Sequence, residues 1–469
     1  MQRNEWMQRI RTGTCAVIGL GVSNRPLVDF LLRHGARVVA RDRASRQKLG
    51  DYARELESRG VKLLLEDRYL DNLSEDVIFR TPGARPDLPE IAAALSRGAI
   101  LTSEMELFLD LTPAHVIGVT GSDGKTTTTT LTNLILQASD NPAFGRVYVG
   151  GNIGAPLLPF VEEMTSRDVA VLELSSFQLM TVRRSAEVAA ITNLSPNHLN
   201  WHTDLHEYYE AKTNLYRHPQ NRRAVFNADN AASHPFILSH KGEKTLFSST
   251  RQTAEAFGDL LSKGDRAVYA RDGVVRIFDG GEERDVLNVA DIRLPGRHNL
   301  ENYMTAIALT DGLATREGIG AVAREFGGVE HRLELVRTVD GVTYYNSSID
   351  SSPNRTAAAL SALPQKPIVI CGGCDKGIPF DSLARTLCER AHVIVLTGQT
   401  APVIEQELQA VSCTLPIYRE PLFDNAVRRA REVAREGDTV LLSPACTSFD
   451  AFANFMERGK RFKDIVNSF

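Results

Sequence analysis

The stretch that most limits what this chain can become runs from Val116 to Leu131 and reads VIGVTGSDGKTTTTTL. Val116 to Val119 form a short apolar run of the kind buried in a parallel sheet. A glycine turn follows, and the threonine-rich segment after it predicts a helix starting near Gly124. Strand, tight turn and helix in that order commit the region to an α/β layer. They also make an anion cradle. Gly121 and Gly124 let backbone amides converge, the helix N-terminus adds its positive end, and Lys125 brings a mobile charge. Thr126 can then place its hydroxyl on a magnesium ion. The common phosphate loop has four residues between its glycines. Here only Ser122 and Asp123 lie between them, so the strict pattern fails, and a bare Gly-x-x-Gly could be an ordinary turn.

At 469 residues the chain exceeds one core, and a prior of about 150 residues per domain gives roughly three domains. A composition 43% hydrophobic and 24% charged is that of a soluble globular enzyme. A net charge of -4 opposes both nucleic-acid and anionic-membrane partners, since neither polyanion would be attracted overall. The opening MQRNEWMQRI has no apolar core of signal-peptide length, and no run reaches the roughly 18 apolar residues of a membrane span, so a cytoplasmic protein is expected. Six cysteines scattered through the chain fit reduced thiols rather than a disulfide framework. Cys371-x-x-Cys374 ends an apolar run among glycines, which favours a strand-to-loop turn over a zinc or redox site.

Taken in order, CAVIGLGVSN, PLVDFLLRHG and RVVARD read as one β-α-β unit with Gly19 and Gly21 at its turn. Asp42 closes the second strand, where dinucleotide folds place a ribose contact. The third fingerprint position is Asn24 rather than glycine, so a structural turn and a nucleotide site stay equally open there. DVIFRTPG adds a strand with a turn at Thr81-Pro82-Gly83. In the segment from Glu104 to Gly328, DVAVLELSSFQL is a buried strand holding Glu173 and delivering Ser175, Ser176 and Gln178 beyond it. A carboxylate in such a run must be compensated, by metal or by a salt bridge. VAAITNLSPNHLNWH predicts a strand ending in His198, HEYYEAKTNLY a helix carrying Lys212, and LPGRHNLENYMTAIALTDGL a helix with His298, Asn299 and Asn302 near its start. After Gly328, KPIVICGG, HVIVLTG and DTVLLSPA alternate with helical stretches, which predicts a further parallel sheet with flanking helices.

TGSDGKTT, GGNIG, LELSSFQL, NLSPNHLNWH, YEAKTNLY, GRHNLENYMTA, EHRLE, GGCDKG and LLSPACTSFDAFANFMERG together resemble, in this order and spacing, the Mur ligases. The likeness covers nearly the whole chain and is most pronounced for the branch that adds D-glutamate to UDP-N-acetylmuramoyl-L-alanine. It implies three α/β domains, each a mainly parallel sheet with helices: a Rossmann-like UDP domain over residues 1-103, a P-loop-like ATPase over 104-328 and a Rossmann-like amino-acid domain over 329-469. It implies a monomer that uses ATP and two magnesium ions, and an acyl-phosphate intermediate on the way to an amide in peptidoglycan-precursor synthesis.

The resemblance also assigns residues. ATP would meet Gly121, Ser122, Asp123, Gly124, Lys125, Thr126, Thr127, Asn299, Asn302 and Arg332. Magnesium would be held by Thr126, Glu173, His198 and Lys212, the last as a carbamate. Val22, Ser23, Asp42, Thr81 and Gly83 would face UDP, and Asn152, Ser175 and Gln178 the muramoyl-alanine. D-glutamate would meet Ser351, Lys376, Ser448 and Phe455. One loop departs from the family pattern. Where many members read Asn-Asp-Ser-Lys-Ala-Thr-Asn, this chain has Asn346-Ser347-Ser348-Ile349-Asp350-Ser351-Ser352, so an expected carboxylate and cation are missing and Asp350 is expected to restore some charge. A ligase with another acceptor, such as a folylpolyglutamate synthase-like enzyme, and a nucleotide-gated binding protein without catalysis are the two alternatives.

Overall fold

The computed structural model describes residues 2–469 apart from Val22, Asn200, Pro295, Lys376 and Gly377. The expected contacts of Val22 and Lys376 therefore lie outside the described residues. The chain divides into two compact units, Met1–Arg324 and Glu325–Phe469.

The first unit holds two sheets. Strands β1 (Thr14–Ile18), β2 (Arg37–Asp42), β3 (Lys62–Leu65), β4 (Val77–Arg80) and β5 (Ile100–Thr102) pair in parallel in the order β3-β2-β1-β4-β5. The chain runs outward from β1 on one side and returns on the other, so the β1/β4 boundary is the switch point at which such sheets take ligands. Asn24, at the third fingerprint position, is buried and donates from Nδ2 to the carbonyls of Ile18 (3.1 Å) and Gly19 (2.8 Å). An amide side chain thus pins the turn where a third glycine would have allowed close packing.

The second sheet contains β6 (His115–Thr120), β7 (Val147–Gly151), β8 (Val169–Glu173), β9 (Val188–Ile191), β10 (Arg223–Asn227), β11 (Glu243–Ser248), β12 (Arg266–Arg271), β13 (Val274–Asp279) and β14 (Glu282–Asn288), in the order β14-β13-β12-β11-β10-β9-β6-β8-β7. It is parallel as far as β12, and β13 and β14 add an antiparallel edge. Strands β8 and β10 are buried at every residue, which accounts for the apolar stretches Val169–Leu172 and Ala224–Phe226 within them. The helix Lys125–Ala138 packs against the helix Arg297–Thr310. Threonine is a poor helix former because β-branching restricts its rotamers. Here burial compensates: Thr128, Thr129 and Thr132 lie inside, and the Thr132 hydroxyl donates back to the Thr128 carbonyl at 2.8 Å.

The second unit is one six-stranded sheet: β15 (Glu334–Val339), β16 (Val342–Asn346), β17 (Ile368–Gly372), β18 (Val393–Thr397), β19 (Ile417–Arg419) and β20 (Thr439–Leu442), ordered β15-β16-β20-β17-β18-β19. Among the described residues of these six strands, only the β15/β16 pair is antiparallel. The α/β class and the mainly parallel sheets agree with the sequence reading. Cys371 lies one residue before the end of β17 with its thiol directed at the Ser443 carbonyl, Cys374 bridges to Thr447, and all six cysteines are free, which fits a strand-to-loop turn. Among the described residues no helix is long and apolar enough to cross a membrane.

One element differs from its expectation. The strand predicted to end in His198 stops at Ile191, and His198 lies in the loop beyond it with φ 55. The chain leaves the sheet early because the residues after Ile191 bind a different loop.

Candidate functional site

The loop after β6 is tied down from the β9 side. The Ser122 amide donates to the Asn193 carbonyl (2.9 Å), the Asp123 amide to Asn193 Oδ1 (2.9 Å), and the Ser195 amide to Ser122 Oγ (2.9 Å), while the Ser122 hydroxyl bonds the Ser195 carbonyl (3.0 Å). Gly121 has φ 146, and a Cβ there would lie 1.9 Å from Thr192 Oγ1. At Gly124, with φ 78, it would lie 2.5 Å from Asn302 Oδ1. Both glycines are therefore needed for backbone geometry and for space. Gly121→Ala is expected to destabilise the first unit by about 1–3 kcal/mol through overpacking, measured by denaturant unfolding; an unchanged midpoint would contradict this packing.

Two lysines meet on this loop. Lys125 Nζ donates to the carbonyls of Gly121 and Ser122, both at 3.0 Å, and Lys212 Nζ donates to the Gly121 carbonyl at 2.8 Å. Lys212, from the helix Leu205–Thr213, is buried with its Nζ over the Tyr208 ring, 4.4 Å from the centroid. Burial first, and the Lys125 charge second, hold its pKa well below the ordinary lysine value. The shift is towards the neutral, nucleophilic form of the amine.

Beside the loop, the register of β6 and β8 sets Val119 opposite Glu173. Glu173 is buried; its Oε1 accepts from Asn152 Nδ2 at 2.7 Å, and among the described residues its Oε2 has no hydrogen-bond partner. An acceptor left over inside a protein calls for an added donor or cation. His198 packs edge-on to Phe177, with ring centroids 4.9 Å apart, and its pKa is lowered by burial and then by Lys212 and Lys125, which favours the neutral imidazole that can ligate a metal. Thr126 is buried in the first turn of the helix. Among the described residues no three His, Cys, Asp or Glu side chains converge as a ready-made metal site. A magnesium site here would rest instead on single protein ligands with phosphate and water, the usual habit of that ion.

Several predicted contacts have structural partners. Ser175 and Gln178 form a capping box on the short helix Ser176–Leu179. Asn302 Oδ1 accepts from the Thr128 hydroxyl at 3.2 Å, and Asn299 sits in the same helix start. In the first sheet, Asp42 Oδ2 accepts the Leu20 amide at 2.5 Å and Oδ1 the Ala44 amide at 2.6 Å, while the Thr81 side chain packs on Gly19. Ser23 opens the helix Asn24–Arg33 without capping it. Asp42, Ser23 and Thr81 thus gather at the mouth of β1, β2 and β4. Arg332, Ser351, Ser448 and Phe455 belong to the second unit, where Ser448 is buried and Phe455 starts the helix Phe455–Asn467.

The sequence reading missed the groups that brace this site. The buried His202 places Nε2 2.9 Å from Ser176 Oγ and Nδ1 3.1 Å from Glu207 Oε2. Arg85 bridges Glu207 (2.9 Å) and the Trp201 carbonyl (2.7 Å), and the Trp201 indole donates to the Gly83 carbonyl at 3.2 Å. This seam joins the first sheet to the second. A hydrogen bond from Arg85 lowers Glu207 from 4.5 to about 2. The folded pKa is depressed, so the pair's contribution is present above pH 4.5 and is lost as pH falls towards 2. Glu207→Gln should lower stability at neutral pH and converge with the parent near pH 2 in acid unfolding; equal separation at both pH values would contradict the pairing.

The Mur ligase middle domain matches residues 119–310, and the Mur ligase glutamate ligase domain matches residues 331–446. The chain is 44% identical over 471 residues to the UDP-N-acetylmuramoylalanine–D-glutamate ligase of Clostridium novyi, covering 99% of both chains. It is 45% identical over 456 residues to the ligase of the same name from Symbiobacterium thermophilum, covering 97% of each. Two solved structures from Thermotoga maritima share its fold. The UDP-N-acetylmuramate–alanine ligase MurC has a TM-score of 0.52 at 18% identity, covering 97% of this chain and 99% of that one. The MurF ligase in complex with ADP has 0.55 at 16% identity, covering 98% and 97%.

Proposed function

This chain belongs to the Mur ligase family, and from that membership we propose how its own residues carry an ATP-dependent ligation of D-glutamate to UDP-N-acetylmuramoylalanine. The reaction belongs to peptidoglycan-precursor synthesis. A carboxylate oxygen of the alanyl end attacks the γ-phosphorus of ATP and the bond to the β-phosphate oxygen breaks, leaving ADP and an acyl phosphate. The amine of D-glutamate then attacks the acyl carbon, loses a proton, and phosphate departs as the amide forms.

Each step crowds negative charge at one place, so the dominant service is electrostatic. The convergence of Lys125 and Lys212 on the Gly121 carbonyl is the observation that carries this reading. Lys125 lies within reach of the loop that would hold the β- and γ-phosphates, with Ser122, Asp123, Gly124, Thr126 and Thr127 supplying amides and hydroxyls. Asn299 and Asn302 extend the nucleotide path along their helix, and we assign Arg332 to ATP as well, as the family resemblance implies.

The orphaned Glu173 oxygen, the Thr126 hydroxyl and the neutral His198 suit magnesium, and two such ions would offset phosphate charge. A Lys212 amine shifted towards its neutral form suits reaction with carbon dioxide: its nitrogen attacks the carbon, a proton leaves, and the resulting carbamate is an anion where an ammonium would repel metal. Val22, Ser23, Asp42, Thr81 and Gly83 orient the UDP end, and Asn152, Ser175 and Gln178 the muramoyl-alanine. In the second unit Ser351, Lys376, Ser448 and Phe455 receive D-glutamate, whose two carboxylates suit a lysine and hydroxyls. The three sheets divide the labour as a UDP domain over residues 1-103, an ATPase over 104-328 and an amino-acid domain over 329-469.

Phosphate release with UDP-N-acetylmuramoyl-L-alanine and ATP tests the reaction. Release that requires D-glutamate supports it; release that requires a different amino acid, or none at all, overturns it.

A further inference from the structure

The loop that departs from the family pattern is wired into the turn that carries Arg332. Asp350 does not restore a solvent-facing charge. It is buried and accepts the Ser443 hydroxyl at 2.9 Å, beside the carboxyl ends of β17 and β20. Its carboxyl is raised by burial, an effect opposed by hydrogen bonds from Ser347 and Ser443 and by the charges of Arg355 and Arg332. Ser347 is also buried, and its amide donates to the Leu442 carbonyl at 2.8 Å.

Across the hairpin, Glu334 pairs with Asn346, so Leu333 comes next in register opposite Ser347. The ladder cannot simply continue. Leu333 has φ 45 and His331 has φ 63, so the two residues flanking Arg332 both occupy the left-handed region that costs a branched or bulky side chain of order 1–3 kcal/mol. Neighbouring groups over-determine that turn. Ser347 Oγ accepts the Leu333 amide at 3.1 Å, and the Ile349 amide donates to the His331 carbonyl at 3.1 Å. The His331 ring is held by Asn346 Nδ2 at 3.0 Å and packs so tightly on Gly459 that a Cβ there would lie 2.2 Å from Nδ1.

We propose that Ser347, braced by Asp350, is a positioning residue that holds the strained turn presenting Arg332 to the nucleotide. The inference rests on the reading that Arg332 meets ATP. It explains how the chain dispenses with an aspartate at 347: the carboxylate sits three positions later and acts through a hydroxyl. A purely structural role would lower stability without singling out one substrate, whereas a positioning role moves the KM for ATP and leaves that for the UDP substrate alone.

Steady-state constants for the full-length enzyme test it with Arg332→Ala, Ser347→Ala, Ser347→Thr, Asp350→Asn and the Ser347→Ala/Arg332→Ala double variant. Ser347→Ala should raise the KM for ATP about fivefold, as loss of one hydrogen bond would, Ser347→Thr should restore it, and the double variant should be no worse than Arg332→Ala. If Ser347→Ala does not fold, Asp350→Asn carries the same expectation. An Arg332→Ala enzyme with an unchanged KM for ATP removes the nucleotide reading and the inference with it. An impaired Arg332→Ala beside neutral Ser347→Ala and Asp350→Asn, or additive effects in the double variant, removes the inference alone.

Discussion

Replacing Lys125 with alanine is expected to lower the rate of ligation by at least about 10²- to 10³-fold, the loss typical of removing one preorganised group from a developing anion. The Lys125 ammonium lies on the carbonyls of Gly121 and Ser122, at the floor of the cradle, where no other side chain of the loop brings a cation. Binding of UDP-N-acetylmuramoyl-L-alanine should change little, because Asp42, Ser23 and Thr81 sit in the other sheet of the first unit. Calorimetric titration with that substrate, alongside phosphate release, separates the two effects. A variant that retained activity would show that the cradle does not hold the transferred phosphate.

Lys212→Ala should be nearly as severe, and for a different reason. In the wild-type chain burial and the neighbouring Lys125 charge push the amine towards its uncharged form, which suits carbamate formation better than direct pairing with phosphate. The variant should lose activity by about 10²-fold or more and recover part of it when a short carboxylic acid such as acetate occupies the space left by the carbamate. Lys125→Ala, which loses a cation, should show no such recovery. Equal rescue of both variants, or of neither, would contradict a carboxylate role at position 212.

How far these residues were legible depends on the range of the interactions that place them. The β6 strand, its glycine turn and the helix from Lys125 follow from neighbours in sequence, and all three stand where VIGVTGSDGKTT puts them. Asn302 and Lys212 were legible as residues on helices because their helices are locally specified. His198 was misplaced because the chain's exit from β9 is set by Asn193 and Ser195 bonding to Ser122 and Asp123, about 70 residues away in sequence. Alternation of apolar residues carries no trace of such a tie. Arg85, Glu207 and His202 were missed for the same reason, since they form a seam between sheets. Asp350 looked like a loop charge and proved to be an internal acceptor for Ser443. Ser175-x-x-Gln178 is the reverse case: a local capping pattern was visible but was read for its chemistry, and both uses can reside in the same pair.

The central claim is that triphosphate lodges on the loop from Gly121 to Thr126, with its terminal phosphate between Lys125 and the Glu173 oxygen. A crystal structure of the protein with magnesium and a non-hydrolysable ATP analogue measures this directly. The account predicts γ-phosphate oxygens within hydrogen-bonding distance of Lys125 Nζ, and metal within ligand distance of Thr126 and Glu173. Triphosphate bound away from that loop, with Lys125 still turned onto the Gly121 carbonyl, would contradict it.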